Sequence, residues 1–319
     1  MLILVTGVTG QDGSYLAERL LSQGHTVVGT SRSAEEVCDE RVQLHALDLA
    51  EPAALAELVR DVRLDRIFHL AALSSVGASW NDPVGYLQAN AVATTALLEA
   101  AWQLHEDGHP VRVVNASSAE IFGDSADVPQ NEDTVLAPTN PYGVSKAAAH
   151  HSVAMYRARG LHASNLVLYN HESPRRPEQF VTRKITAAAA AIAAGQADEL
   201  RLGNLDARRD WGAAQDVVEA LCLAAAAEEA DDYVIGTGVS HSVRDFVTAA
   251  FDAAGIGEVD DYVVVDPQFY RPVEAAVQVA DPRKAAEQLG WRPVISFKEL
   301  VADMVRADMA ALGLPTTSR

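Results

Sequence analysis

The chain has 319 residues, 49% of them hydrophobic and 22% charged, which is enough apolar material for one large α/β unit or two modest domains with a sizeable core. Its formal charge of −19 argues against a protein that coats nucleic acid, which needs basic surface to displace counterions, and an acidic surface also repels anionic lipid headgroups. A local pocket of Arg and Lys can still overrule that field for a small phosphorylated ligand.

The first half alternates strand-like and helix-like patterns. Leu2–Thr6 reads as a strand, Ser14–Ser22 as a helix and Thr26–Thr30 as a second strand. Strands at Val42–Ala46, Arg66–Leu70 and Val111–Ala116 follow, with helices at Ala53–Arg60 and Gly85–Trp102 between them. Tyr142–Tyr156 reads as a further helix and Ala163–Tyr169 as a further buried strand. Because each parallel crossover needs a helix, this alternation predicts a Rossmann-type, doubly wound parallel sheet. After Asn170 the rhythm changes. His171–Phe180 is polar, contains Pro and Arg, and reads as a loop over a site. Short apolar runs at Tyr233–Ile235 and Tyr262–Val265 flank a helical pattern at Val243–Ala254, and Pro282–Leu289 and Phe297–Leu312 look helical. The expected division is a dinucleotide-binding domain over 1–170, with a later strand and helix from about 205–240, and a smaller substrate-binding subdomain over most of 171–319.

Cys38 and Cys222 cannot build a disulfide framework and have no ligand partners at useful spacing, so no metal site is expected. The N-terminus runs into Leu2–Thr6 without a basic n-region, and the Ala-rich stretch Thr186–Ala194 is too short to span a bilayer. Cytoplasmic is the default location, with no membrane or nucleic-acid partner.

Gly7, Gly10 and Gly13 stand between the first strand and first helix as G-x-x-G-x-x-G. That spacing suits a tight turn, close approach of a pyrophosphate, and a helix N-terminus whose free N–H groups face the diphosphate. The second strand ends in Thr30-Ser31-Arg32-Ser33 with no acid until Glu35. Arg32 suits the 2′-phosphate of NADP, and would equally serve as a solvated strand-end residue. Asp48 and Leu49 after the third strand fit an adenine contact, although Asp48 could instead cap a helix. Tyr142 and Lys146 share a helix face four residues apart, so the ammonium can sit near the phenol and, with a positive nicotinamide, favour phenolate.

The glycine fingerprint, the Ser117-Ser118 pair at a strand end and the Tyr142/Lys146 pair together resemble the extended short-chain dehydrogenase/reductase family. The finer resemblance is to GDP-mannose 4,6-dehydratases. It is carried by Val5–Glu18 (VTGVTGQDGSYLAE), Leu70-Ala71-Ala72 with Ser75-Val76, Asn170–Arg176 (NHESPRR), Phe180–Thr186, Arg209–Gly212, Tyr270–Glu274 and Leu289–Pro293. These motifs run over essentially the whole chain, and NHESPRR is the most discriminating.

The resemblance implies a tightly bound NADP and a GDP-sugar substrate, GDP-mannose first. It adds Ser118 and Glu120 to Tyr142 and Lys146 as catalytic residues. Glu120 answers a chemical need, since oxidation at C4 acidifies the C5 proton and a carboxylate must remove it as water leaves from C6. The cofactor set becomes Gly7, Thr9, Gly10, Gln11, Asp12, Gly13, Arg32, Asp48, Leu49, Leu70, Ala71, Ala72, Ser74, Tyr86, His171 and Arg176, with Tyr142 and Lys146. The substrate set becomes Ser75, Asn170, Val181, Lys184, Arg209, Arg271 and Glu274, with Ser118 and Glu120; Thr182 also matches a substrate-side position and Arg183 lies near it. Arginine forks bind phosphate well, which suits a diphosphate in an acidic chain.

Two departures stand out. One Arg, not two, follows the second strand, and the path Ser33–Arg41 is short, which favours a homodimer over the tetramer usual in the family. Leu73 and Ala119 replace polar residues, leaving room for a variant sugar. The competing readings are an NADP-dependent 4-keto-sugar reductase, a C4 epimerase, and a non-catalytic NADP-sensing regulator.

Overall fold

The structure is a computed structural model and describes residues 1–33, 39–257, 259–269 and 277–315. Its first part runs β1 (Leu2–Thr6), α1 (Gln11–Ser22), β2 (Thr26–Ser31), β3 (Gln43–Ala46), α2 (Pro52–Val62), β4 (Arg66–His69), α3 (Pro83–Tyr86), α4 (Ala93–Glu106), β5 (Arg112–Ser118), α5 (Pro141–Ala158) and β6 (His162–Leu168). Then follow β7 (Asn170–Glu172), α6 (Val181–Ala193), β8 (Leu200–Leu202), β9 (Arg208–Ala213), α7 (Ala214–Ala226), β10 (Asp232–Ile235) and β11 (Ser240–Ser242). The last elements are α8 (Val243–Ala254), β12 (Val263–Val265), β13 (Val277–Gln278) and α9 (Phe297–Ala311).

Seven strands form one parallel sheet in the order β10-β6-β5-β4-β1-β2-β3, the doubly wound arrangement that the alternation predicts. All but the edge strand β3 are largely buried on both faces, and successive residues feed opposite layers. Ile3 and Val5 pack with α1 and α7 through Leu16, Leu20, Val217 and Leu221, whereas Leu4 packs with α2, α4 and α5 through Leu55, Leu97 and Val153. The strand order reverses between β1 and β4. That topological switch point opens a crevice at the carboxyl ends of the two strands, the general place for a ligand in such a sheet.

The elements after β6 divide. α7 and β10 extend the main sheet and its core. α6, α8 and α9 surround Trp211 and Phe246 in a separate apolar cluster, and β9 joins β7, β11 and β13 in a small second sheet. The apolar run at Tyr262–Val265 becomes β12 and pairs with β8, away from the main sheet. The His171–Phe180 loop begins two residues later than its sequence suggests, because Asn170–Glu172 pairs with Trp211–Ala213.

The helix expected over Gly85–Trp102 contains a π segment, Leu87–Val92, between α3 and α4. Thr94 and Thr95 hydroxyls donate to the carbonyls of Asn90 (2.6 Å) and Ala91 (2.9 Å), loosening the ordinary ladder there. The π turn aims the Asn90 amide at Leu73, donating to its carbonyl at 2.9 Å and accepting from its N–H at 2.8 Å. Helix starts are marked in the sequence: Pro52 and Pro141 open α2 and α5, and Ser242/Asp245 and Ser296/Glu299 form capping boxes on α8 and α9. Among the described residues no helix is long and apolar enough to cross a membrane.

Candidate active site

The glycine turn after β1 is shaped for close approach. Gly7 has φ of +70°, and a Cβ on Gly13 would lie 2.1 Å from the Gly7 carbonyl oxygen. α1 begins at Gln11 with Gly10 as N-cap and no side-chain cap, so its first N–H groups are left for a ligand. A dinucleotide pyrophosphate fits this cradle.

The turn is anchored at the switch point. The Thr6 hydroxyl accepts from the N–H groups of Leu70 (3.0 Å) and Ala71 (3.1 Å), so its own proton goes to His69 Nδ1 at 2.9 Å. His69 Nε2–H then donates to Thr94 Oγ1 at 2.9 Å, since the Thr94 proton is committed to the Asn90 carbonyl. Burial, with the Lys146 ammonium beside it, pushes the His69 pKa down to about 3, so the ring is neutral. The Asn90 amide continues the line to Ser145 Oγ (3.0 Å), which donates to the Tyr142 carbonyl (2.7 Å). One buried chain thus joins the glycine turn to the start of α5.

Ser118, Glu120, Tyr142 and Lys146 come together between the end of β5 and the start of α5. Ser118 Oγ accepts from the Glu120 N–H at 3.3 Å and hydrogen-bonds the Tyr142 phenol. Asn140, a residue the sequence reading passed over, caps α5 by accepting from Gly143 N–H at 2.8 Å and donates to Glu120 Oε2 at 2.7 Å. Its signal was present: Asn immediately before Pro141 is an N-cap pattern. Gly143 allows the approach, because a Cβ there would come within 2.5 Å of the Glu120 carbonyl oxygen.

Burial pushes the Tyr142 phenol up to about 12, with Ser118 and Arg176 opposing and Glu120 reinforcing the shift. Burial lowers Lys146 to about 8. Lys146 Nζ donates to the Ala116 carbonyl at 2.6 Å. Arg176 also acts on the phenol, a contribution not foreseen from the Tyr/Lys spacing. Tyr86 stands edge-on to Tyr142 with ring centres 6.4 Å apart and donates to the Ser75 carbonyl at 2.8 Å.

The other expected cofactor positions follow the carboxyl ends of β1 to β4. Arg32 is exposed one residue beyond β2 and Ser74 is exposed past β4, near half-buried Ala72. Asp48 accepts from the Ala50 N–H at 2.9 Å and so caps its own turn, while Leu49 packs on the α2/α4 layer. Thr9 and Gly10 occupy the glycine turn itself.

His171 lies against α1. Its Nδ1 donates to the Tyr169 carbonyl at 2.7 Å, and its Nε2 meets Asp12 Oδ2 at 2.8 Å. Burial works against both charges, yet the pair outweighs it: His171 is raised and Asp12 lowered, with Arg176 nearby favouring the carboxylate and opposing the imidazolium. Glu172, fully buried, forms an ion pair with Arg176 (Nε at 3.2 Å) and accepts from the Thr182 hydroxyl (2.7 Å). Thr182 is thus buried at the start of α6, with its hydroxyl engaged by the Glu172 carboxylate.

Asn170 on β7, Val181 and Lys184 on α6 and Arg209 on β9 come from the second group of elements. Lys184 Nζ sits 3.7 Å from the Phe269 ring centre. Arg209 is buried, with Nη1 donating to the Arg208 carbonyl at 2.7 Å. Arg271 and Glu274 lie outside the described residues, as do Glu35 and Cys38.

The His171–Asp12 pair predicts a pH window. The raised imidazole contributes fully below its ordinary value of 6.5 and is lost as pH climbs through the folded value; the lowered carboxyl contributes above 3.8 and is lost as pH falls through its folded value. Denaturant stability of the parent relative to His171→Gln should therefore be greatest between those limits and decline on the alkaline side. A difference independent of pH across neutrality would show that the pair is not ionised.

The sequence profile of the family described as GDP-mannose 4,6 dehydratase matches residues 4–304. The GDP-mannose 4,6-dehydratase of Sinorhizobium fredii is 40% identical over 340 aligned positions, covering 97% of this chain and 97% of that protein. Among solved structures, a UDP-glucose 4-epimerase of Thermus thermophilus in complex with NAD superposes with a TM-score of 0.85 at 28% identity, covering 98% of this chain and 100% of the other. RMD from Pseudomonas aeruginosa complexed with NADPH superposes at 0.82 with 25% identity, over 97% and 99% of the two chains.

Proposed function

The chain belongs to the GDP-mannose 4,6-dehydratase family, and from that premise we propose that it is a nucleotide-sugar 4,6-dehydratase converting GDP-mannose to GDP-4-keto-6-deoxymannose and water, with NADP as resident cofactor. The observation that carries this reading is Glu120. A hydride exchange at C4 needs only the Tyr/Lys pair, whereas elimination across C5 and C6 needs a further carboxylate. Glu120 is held by Asn140 beside Ser118 and Tyr142 for that task.

A bound nicotinamide supplies the hydride acceptor at C4 and the donor that returns it at C6. The chain's own residues move the protons. Tyr142 takes the C4 hydroxyl proton; Arg176 and the Ser118 hydrogen bond lower the cost of phenolate against burial. Glu120 removes the C5 proton made acidic by the neighbouring ketone, and a proton is delivered to the departing C6 hydroxyl so that it leaves as water. A proton returned to C5 completes a redox-neutral sequence whose net change is loss of one water. Gln11, Asp12 and the glycine turn hold the dinucleotide, and Asn170, Val181, Lys184 and Arg209, with Arg271 and Glu274, are assigned to the GDP-sugar.

Glu120→Gln keeps shape and hydrogen bonding but removes the base. The variant should still bind cofactor and sugar nucleotide and reduce some bound cofactor, seen as transient nicotinamide absorbance. It should release no 4-keto-6-deoxy product and exchange no C5 hydrogen with deuterated solvent. Retention of both exchange and product at parental rates would move the reductase or epimerase reading ahead.

For the cofactor, the support is Arg32 at the end of β2 and the absence of an acid beside it among the described residues. Titration should show NADP bound more tightly than NAD, and Arg32→Ala should weaken NADP by about ten- to a hundred-fold, the worth of a charged hydrogen bond, with little effect on NAD. Preference for NAD in the parent would overturn the assignment.

We also propose a homodimer through α3–α4 and α5. Val84, Leu87, Val92, Val144 and Met155 are exposed on these helices, which pack side by side through the Thr95–Ser152 contact at 3.0 Å. Light scattering should return twice the chain mass; a monomer would refute the interface, and a tetramer would refute the inference from the short Ser33–Arg41 path.

A further inference from the structure

Residues 171–176 lie across the first two turns of α1 and are fastened to it at several points. Gln11 Nε2 donates to the His171 carbonyl at 3.1 Å, and Ser173 Oγ donates to Gln11 Oε1 at 2.8 Å. Asp12 holds His171 at 2.8 Å. Farthest out, the Arg175 guanidinium donates to Ser14 Oγ at 3.0 Å and to both Glu18 oxygens at 2.8 and 3.1 Å, and stacks 3.8 Å from the Tyr15 ring centre. Ser173 Oγ also accepts from the Arg175 N–H at 3.1 Å, which fixes the turn that presents the guanidinium. Behind the strap, Arg183 holds the Pro174 carbonyl at 3.2 Å and pairs with Asp308 of α9, so its far side is fixed too.

The residues of α1 so engaged, Gln11, Asp12, Ser14, Tyr15 and Glu18, surround the helix end where the pyrophosphate is assigned. We propose that Arg175, by locking this strap on Ser14, Tyr15 and Glu18, is a positioning residue that keeps the dinucleotide in place between the two hydride transfers. This rests on the cofactor assignment above. The reaction gives the strap a purpose: the reduced nicotinamide formed at C4 must remain until it returns hydride to C6, so escape between the steps would leave a stranded 4-keto intermediate. A stoichiometric reductase has the opposite need and must exchange its cofactor every turnover.

Every bond of the strap joins two groups of this chain. Such bonds can form with or without nucleotide, so they raise the barrier to passage without favouring the bound over the free state. A residue that touches the nucleotide changes Kd; a strap changes association and dissociation together. The sign at Glu18 is especially informative. Removing a carboxylate near an anionic ligand, taken alone, would slow release, whereas unlocking the strap speeds it.

The experiment uses full-length protein loaded with NADPH, chased with excess NADP in stopped flow and followed by nicotinamide fluorescence. Arg175→Gln should raise both rate constants by about ten-fold, and Glu18→Gln by about two- to five-fold, as expected for a partly exposed ion pair reinforced by an aromatic face. Kd should stay within about two-fold in each, and the double variant should release no faster than Arg175→Gln alone. Release from Glu18→Gln at or below the parental rate overturns the strap, as does a rise in Kd of the same size as the rise in dissociation. A parent that binds no dinucleotide overturns the cofactor assignment and the strap with it, so the two failures are distinguishable.

Discussion

The arrangement of the site depends on where one hydroxyl sends its proton. Thr6 ends β1 at the point where the sheet reverses its order, and it accepts two N–H groups from the chain leaving β4. With both acceptor directions filled, its proton must go to His69, and every later step follows: a neutral imidazole with hydrogen on Nε2, Thr94 directed to the Asn90 carbonyl, and the Asn90 amide shared between Leu73 and Ser145. The line ends on the backbone of Tyr142. In a dry interior such a chain holds its members in one geometry because each unmade bond would strand a polar group. The glycine turn for the cofactor and the phenol for the chemistry are therefore parts of one connected unit.

Charge is managed locally against the acidic whole. Arg176 lies where it acts at once on Asp12, His171 and Tyr142, while Glu172 holds it from below. The NHESPRR segment works as a unit for this reason. Its His and Ser grip the first turn of α1, its Glu seats the second Arg beneath the site, and its first Arg reaches the outer face of α1. The opening motif GQDGSYLAE supplies the matching groups, Gln11, Asp12, Ser14, Tyr15 and Glu18. Two segments some 160 positions apart are two halves of one contact, which explains why both features accompany each other in this chain.

The Tyr142/Lys146 pairing was legible because local spacing already carries it. Tyr142 and Lys146 must share a helix face, whereas Ser118 and Glu120 were implied by the family resemblance and are brought to them by the fold. Other contacts were not legible because their partners are remote. Thr182 matches a substrate-side position by resemblance alone, and nothing local shows that its hydroxyl bonds the buried Glu172 carboxylate. Lys146 follows from the spacing, but its bond to the Ala116 carbonyl and the added field of Arg176 at Tyr142 do not. Asn140 was passed over because a cap before Pro looks purely local until Glu120 folds back onto it.

The sequence by itself determined the parallel sheet, the glycine cradle and the Tyr/Lys helix, because periodicity, small residues at a turn and helical spacing act over a few neighbours. The tertiary structure alone decided the π turn that delivers Asn90, the tautomer of His69, the pairing of His171 with Asp12 and the laying of Arg175 over α1. Each of these depends on a hydrogen bond or charge contributed from a different part of the chain, and no short-range pattern can say which proton goes where until those parts have packed.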